Sequence, residues 1–174
     1  MKSNLKILSL LNKNYFSISL ILLLAFSRLI PHPPNFTPII ALAIMSSYFF
    51  KNIYFSILVL LISMLLSDIF ISFHLNMVFV YASLFLIIII FNKIINKITY
   101  KNLFLFSLFG SLIFFIISNF GVWLVTDLYE NNLNGLLSCY ILAIPFFKNT
   151  FLSTVFFSYV TFFVQSTRTY IKKT

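Results

Sequence analysis

The residues of this chain that could do chemistry are few, and the densest group lies in one stretch. Residues 28–38 hold a guanidinium (Arg28), an imidazole (His32), a carboxamide (Asn35) and a hydroxyl (Thr37), and four of the five prolines stiffen the same stretch. Arg28 and His32 suit an anionic or hydrogen-bonding group, because a guanidinium offers several donors in a fixed fork and an imidazole donates or accepts with its protonation state. Asn35 and Asn149 are candidates to orient such a group, and Trp123 and Tyr140 to pack on an apolar ring. Asp68 and Asn119 complete the candidate site; both stand inside apolar runs, where a polar side chain faces protein or a watery cavity rather than lipid. Plainer readings stand beside these. His32 and Asn35 could satisfy the backbone of a rigid connector, and Asp68 could bond a neighbouring helix or Ser72 four residues on. Asn119 could make an interhelical hydrogen bond, and Trp123 could sit in an interfacial aromatic belt.

Other chemistries lack their residues. Three glycines, Gly110, Gly121 and Gly135, cannot build a phosphate-binding loop or a dinucleotide fingerprint, so the chain has no nucleotide-driven motor of its own. A single cysteine, Cys139, forms neither an intramolecular disulfide nor a cysteine-based zinc site. Asp68, Asp127 and Glu130 show no metal or acid–base spacing. The expectation is no enzyme, no metal and no cofactor. A net charge of +9 raises nucleic acid as a partner, but the basic residues are not gathered into a basic domain with interleaved aromatics, so none is expected.

The elements that position these residues follow from composition. The chain is 61% hydrophobic and 9% charged, whereas soluble domains carry roughly 25% charged residues. It reads as an all-α integral membrane protein with membrane lipids as its first partners. A hydrocarbon core of about 30 Å takes about 20 helical residues to cross. By that rule one membrane domain, residues 1–174, holds about six transmembrane helices at 15–30, 38–50, 53–73, 77–95, 103–126 and 151–165. A cleaved signal peptide ending near Ala25-Phe26-Ser27 is the alternative for the first; further spans follow at once, which makes a retained helix the simpler reading. Thr37 is placed to cap the second helix with Pro38 at its first position. Residues 136–147 are too few to span and are closed by Pro145, which predicts a re-entrant or interfacial segment, with Asn149 or Thr150 capping the last helix.

At about 100° per residue, Ser56, Ser63, Ser67 and His74 share one face of the third span. Ser107, Ser111 and Ser118 do so on the fifth, and Thr154, Ser158, Thr161 and Gln165 on the last. These stripes are expected to face the bundle interior and line a cavity. With six spans and both termini in the cytoplasm of a bacterium, ten of the twelve Lys and Arg lie inside and only Arg28 and Lys148 outside, the positive-inside pattern of an inner-membrane, multi-pass protein. The outer face then collects Arg28, His32, Asn35, His74, Asn76, Asp127, Glu130, Lys148 and Asn149.

Several blocks carry a resemblance: residues 28–38, Ser67-Asp68, residues 118–123 (Ser-Asn-Phe-Gly-Val-Trp), Gly135, Cys139-Tyr140 and residues 143–150 (Ala-Ile-Pro-Phe-Phe-Lys-Asn-Thr). In this order, over roughly residues 15–165, they resemble a bacterial membrane family of unknown function described as candidate transport proteins. That family is in turn similar in architecture to the substrate-binding S components of energy-coupling factor transporters, which are six-helix proteins. The resemblance departs at residues 44–47, Ile-Met-Ser-Ser, where glycines are common in the family. It implies a substrate-binding subunit for uptake of a small, vitamin-like molecule, energised by a coupling membrane protein and ATPase subunits. It supplies no functional residues. The alternative is a structural membrane subunit or assembly factor with no ligand.

Overall fold

A computed structural model describes the backbone of residues 2–71 and 74–171, with side chains described over 14–71 and 74–168. Six α-helices follow in order: α1 (Lys2–Phe26), α2 (Ile39–Phe50), α3 (Ile53–Ile71), α4 (Met77–Ile94), α5 (Tyr100–Val125) and α6 (Leu133–Ile171), with a 3₁₀ turn over Ser27–Leu29 after α1. No strand occurs among the described residues. Long apolar runs fold this way because a helix satisfies its backbone within the segment, which an apolar solvent demands. Four helices are long and apolar enough to cross a membrane: Ile53–Ile71, Met77–Ile94, Tyr100–Val125 and Leu133–Arg168. Asn14–Leu29 and Ile39–Phe50 are apolar but shorter.

α2 is the axis of the bundle. It touches each of the other five helices, and residues 39–47 are all buried. A helix that is apolar all round belongs in an interior, and α2 is apolar all round except for Ser46 and Ser47, whose hydroxyls turn back to Ala43 O at 3.0 and 2.9 Å. Small residues bring its neighbours close. Gly110 of α5 lies against Ile40 and Ile44, where an added Cβ would approach Ile44 to 3.0 Å. Ser56 of α3 donates to Ser46 O at 3.0 Å, and Ser47 reaches Ile88 O of α4 at 3.4 Å. Lys51 ends α2 in the left-handed region (φ 49°), and Asn52 Oδ1 accepts from Phe55 N at 3.0 Å to start α3.

Several boundaries differ from the sequence expectation: α1 runs over Lys2–Phe26 where 15–30 was expected, and α5 begins at Tyr100 where 103 was expected. α2 begins one residue later than expected, with Pro38 at the cap position and no side-chain cap, so the Thr37 hydroxyl is not spent on the helix. The largest difference is in α6. Residues 136–147 do not turn back as a re-entrant segment; they form the first part of a single 39-residue helix that carries Pro145 inside it. Neither Asn149 nor Thr150 caps a new helix: Asn149 Nδ2 donates to Pro34 O at 3.0 Å and Thr150 Oγ1 to Phe146 O at 2.9 Å. Proline removes one backbone hydrogen bond and crowds the carbonyl four residues before it. Packing along α5 outweighs that local defect, through Phe115 on Phe147, Phe104 on Phe151 and the Tyr159 hydroxyl on Tyr100 O at 2.5 Å. As positions rise along α6 their partners on α5 fall, from Asn119 through Ile116 to Tyr100, so the two helices run antiparallel.

The serine and threonine members of the polar stripes are buried as expected, while His74 is exposed and Gln165 half-buried, and most of the hydroxyls do another job than lining a cavity. Ser63, Ser107, Thr154 and Thr161 donate to carbonyls four residues back in their own helices, at 2.6 to 2.9 Å. They are spacers that let helices approach, the use small hydroxyl residues have in membrane bundles. The link between α4 and α5 is a short loop that ends in a capping box, Thr99 with Asn102, at the start of α5.

Candidate binding site

The end of the bundle where α1, α3 and α5 finish and α2, α4 and α6 begin holds a cavity of about 270 Å³. It sits above the buried start of α2, which contributes Ile39, and beneath the proline stretch, which contributes Asn35 and Thr37. Arg28, His74 and Asn76 line it from the inter-helix turns, and Ser118, Asn119 and Val122 from α5. Phe114, Phe115, Phe146, Phe147 and Val80 give it apolar walls, and Thr150 closes the α6 side. The roof is fixed by one backbone conformation and one contact. Asn35 takes a left-handed backbone (φ 60°), which asparagine tolerates better than most residues. Asn149 of α6 ties down the preceding carbonyl of Pro34.

Arg28 is held from behind by a buried cluster. The 3₁₀ turn after α1 swings its side chain toward α3, where Nη1 donates to Ser67 Oγ at 2.6 Å and contacts Met64 Sδ at 3.3 Å. The same nitrogen lies 2.8 Å from Asp68 Oδ1. That contact is an ion pair and not a directed hydrogen bond, since Oδ1 accepts none in good geometry. Tyr81 of α4 donates its hydroxyl to the other carboxylate oxygen at 2.6 Å. Asp68 is 1% exposed and the Arg28 side chain 12%. A carboxylate so deeply buried is strongly unfavourable without a partner, and here one cation and one phenol supply it. Three elements meet in these contacts: the turn after α1, α3 and α4.

Of the sequence candidates, the structure brings Arg28, Asn35 and Asn119 to the cavity wall. Asp68 stands behind Arg28, and Asn149 supports the roof. His32 is exposed and its Nδ1 meets Ile30 O at 2.6 Å, away from the cavity. Trp123 donates Nε1 to Glu130 O at 3.0 Å, and Tyr140 donates its hydroxyl to Ile116 O at 2.7 Å; neither lines the cavity. The proposed bond from Asp68 to Ser72 lies outside the described residues. Thr37, His74, Asn76, Ser118 and Thr150 were not singled out as site residues. Ser118 and Asn119 with Phe114, Phe115 and Val122 form one continuous face of a helix, a pattern visible in the sequence once α5 is known to point that face inward. Asn76 offered no such periodicity. Gly121 explains its placement, since any side chain there would strike Asn76 and the Phe79 ring.

Among the described residues no group of three His, Cys, Asp or Glu comes together to hold a metal. The chemistry the cavity offers is recognition: one guanidinium, one imidazole, three carboxamides and three hydroxyls facing apolar walls. Comparison with curated proteins and with solved structures returns no match. Residues 9–172 match the family model described as a family of unknown function (DUF6580), and the chain belongs to that family.

Proposed function

We propose that this protein is a multi-pass membrane protein in which all six helices traverse the bilayer, and that its cavity faces outward and captures a small molecule as the binding subunit of an uptake system. The observation that carries the reading is the cavity beneath the proline stretch, lined by a guanidinium, an imidazole, carboxamides and hydroxyls together with aromatic rings, the mixture of polar groups and apolar walls found in small-molecule sites between helices. The chain has three acidic residues. Asp68 is committed to Arg28, and Asp127 and Glu130 are exposed, so no acid–base pair converges and we assign it no catalytic step. Uptake would draw its energy from a separate membrane partner with ATPase subunits. The basic residues fit this orientation: Lys51 and Lys97 lie in the connections, Lys93 in the last turn of α4 and Lys101 in the first turn of α5, all at the end away from the cavity, where cytoplasmic flanks carry such charge.

Native mass spectrometry of the protein released gently from its own membranes tests the reading. A small-molecule mass that leaves on activation, and that is missing from Asn119→Leu, is the expected result. The competing reading, a structural subunit without a ligand, has one foothold in an apolar groove between α3 and α4 lined by Leu65, Met77, Val78, Ala82 and Phe85. A stoichiometric protein partner with no small-molecule mass would overturn the capture reading in its favour.

A further inference from the structure

A second cavity, of about 290 Å³, adjoins the first, and we infer that the two are halves of one site for a carboxylate amphiphile, its head in the first and an apolar ring or short chain in the second. This rests on the capture reading above. Asn35, Asn119, Val122 and Phe146 line both cavities, so the partition between them is a single layer of side chains with two carboxamides in it. Their own walls differ in kind. The first adds Arg28, Thr37, His74, Asn76 and Ser118. The second adds Pro34, Leu128, Leu142 and Ala143, with Tyr129 and Cys139 as its only other polar groups. Size supports the pairing: each cavity alone falls just short of the roughly 300–1,000 Å³ of small-molecule sites, and together they lie inside that range.

The head is an anion because of what the walls hold. No aspartate or glutamate lines either cavity, so a cation finds no carboxylate to pair with there, whereas Arg28 is on the first wall. Ser67, Met64 and Asp68 all engage Nη1 of Arg28, which leaves Nε buried without a hydrogen-bond partner among the described residues, and Asn76 Oδ1 is in the same state. Buried polar atoms in native proteins are nearly always satisfied; a carboxylate oxygen seated here would accept from Nε of Arg28, and from the Asn76 carboxamide once that side chain turns its Nδ2 toward the head. The apolar half is built in advance. The loop after α5 is pinned by Trp123 Nε1 on Glu130 O at 3.0 Å and by Gly135 N on Asn132 Oδ1 at 2.8 Å. It thereby holds Leu128 and Tyr129 over the second cavity, and a chamber held ready costs a ligand less ordering on entry.

Cys139, the one cysteine of the chain, is buried on the wall of the second cavity and serves as reporter. The full-length protein in lipid nanodiscs is treated with methyl methanethiosulfonate in the presence of acetate, which is a head alone, or 3-phenylpropionate, which is a head with a ring. Binding of each is followed separately by calorimetry. The expected result is that 3-phenylpropionate binds and, at about ten times its dissociation constant, slows Cys139 modification about tenfold because only the unoccupied fraction reacts, while acetate does not slow it. Leu142→Trp, at an exposed position on the second wall, abolishes the protection. Binding of 3-phenylpropionate without protection, equal protection by acetate, or protection that survives Leu142→Trp each overturns the two-chamber site and leaves capture in the first cavity standing. Absence of binding by either acid overturns the carboxylate assignment, and the mass-spectrometric test decides the capture reading on its own.

Discussion

Two sets of buried polar groups occupy this bundle, and they behave differently. The hydroxyls of Ser63, Ser107, Thr154 and Thr161 bond within their own helices. Arg28, Ser67, Asp68 and Tyr81 bond between elements, and their cluster borders the cavity. A hydroxyl returned to its own helix carries no information about which neighbour lies beside it. A carboxylate at 1% exposure tolerates one arrangement of its partners. The first set makes close packing possible, and the second specifies which packing occurs.

Substitutions can break that contrast. The largest effect is expected from Asp68→Ala, which leaves the Arg28 charge buried and uncompensated and should cost about 3–5 kcal/mol, measured by chemical unfolding in detergent micelles. Removing both charges, Arg28→Met with Asp68→Leu, should recover most of that loss while abolishing the co-purified small molecule; a double variant that stays as unstable as Asp68→Ala would show that the cluster is not an electrostatic pair. Tyr81→Phe deletes one hydrogen bond to an ionised group and should cost about 1.5–3 kcal/mol in the same assay. Gly121→Ala presses a methyl group on Asn76 and Phe79 and should cost about 1–3 kcal/mol as overpacking, with weakened ligand retention because Asn76 lines the cavity. Ser63→Ala, from the first set, should lie near the roughly 0.6 kcal/mol average of polar contacts in membrane bundles, or below it. A loss there equal to that of Tyr81→Phe would erase the distinction.

The contrast also marks what could be read in the chain. Composition and run length are enough for an all-helical protein with apolar helices of membrane-crossing length, and helical spacing is enough to turn the serine stripes inward. Residue type could not say that Asp68 belongs to Arg28, since their pairing spans 40 positions and depends on a 3₁₀ turn that no local pattern announces. His32 looked as suitable as Arg28 because both stand in the proline stretch, yet the turn faces one to the interior and leaves the other outside. Proline opposes helix locally, which makes Pro145 read as an end, whereas the aromatic contacts with α5 just beyond it, at Phe147 and Phe151, hold the helix in line through it. Trp123 and Tyr140 were sought as ring-stacking groups, but each uses its polar atom on a backbone carbonyl, and Tyr140 further packs its ring on Phe115. Their roles are decided by neighbours that local spacing cannot name.

The central position of α2 bears on how such a protein is made. With twelve residues it rises about 18 Å, well short of a hydrocarbon layer of about 30 Å, and its polar backbone ends would meet acyl chains if it entered the bilayer alone. On the six-span arrangement proposed above, its partition into the membrane would be coupled to the arrival of later helices, α3, α4, α5 and α6, that enclose it. Ribosome-stalled chains ending soon after Phe50 are expected to leave residues 39–50 open to a membrane-impermeant label introduced at Ser47→Cys with Cys139→Ser, and chains extending beyond α6 to hide them. The order of biogenesis would then run from the periphery inward, with the first-made core element the last to reach its final depth.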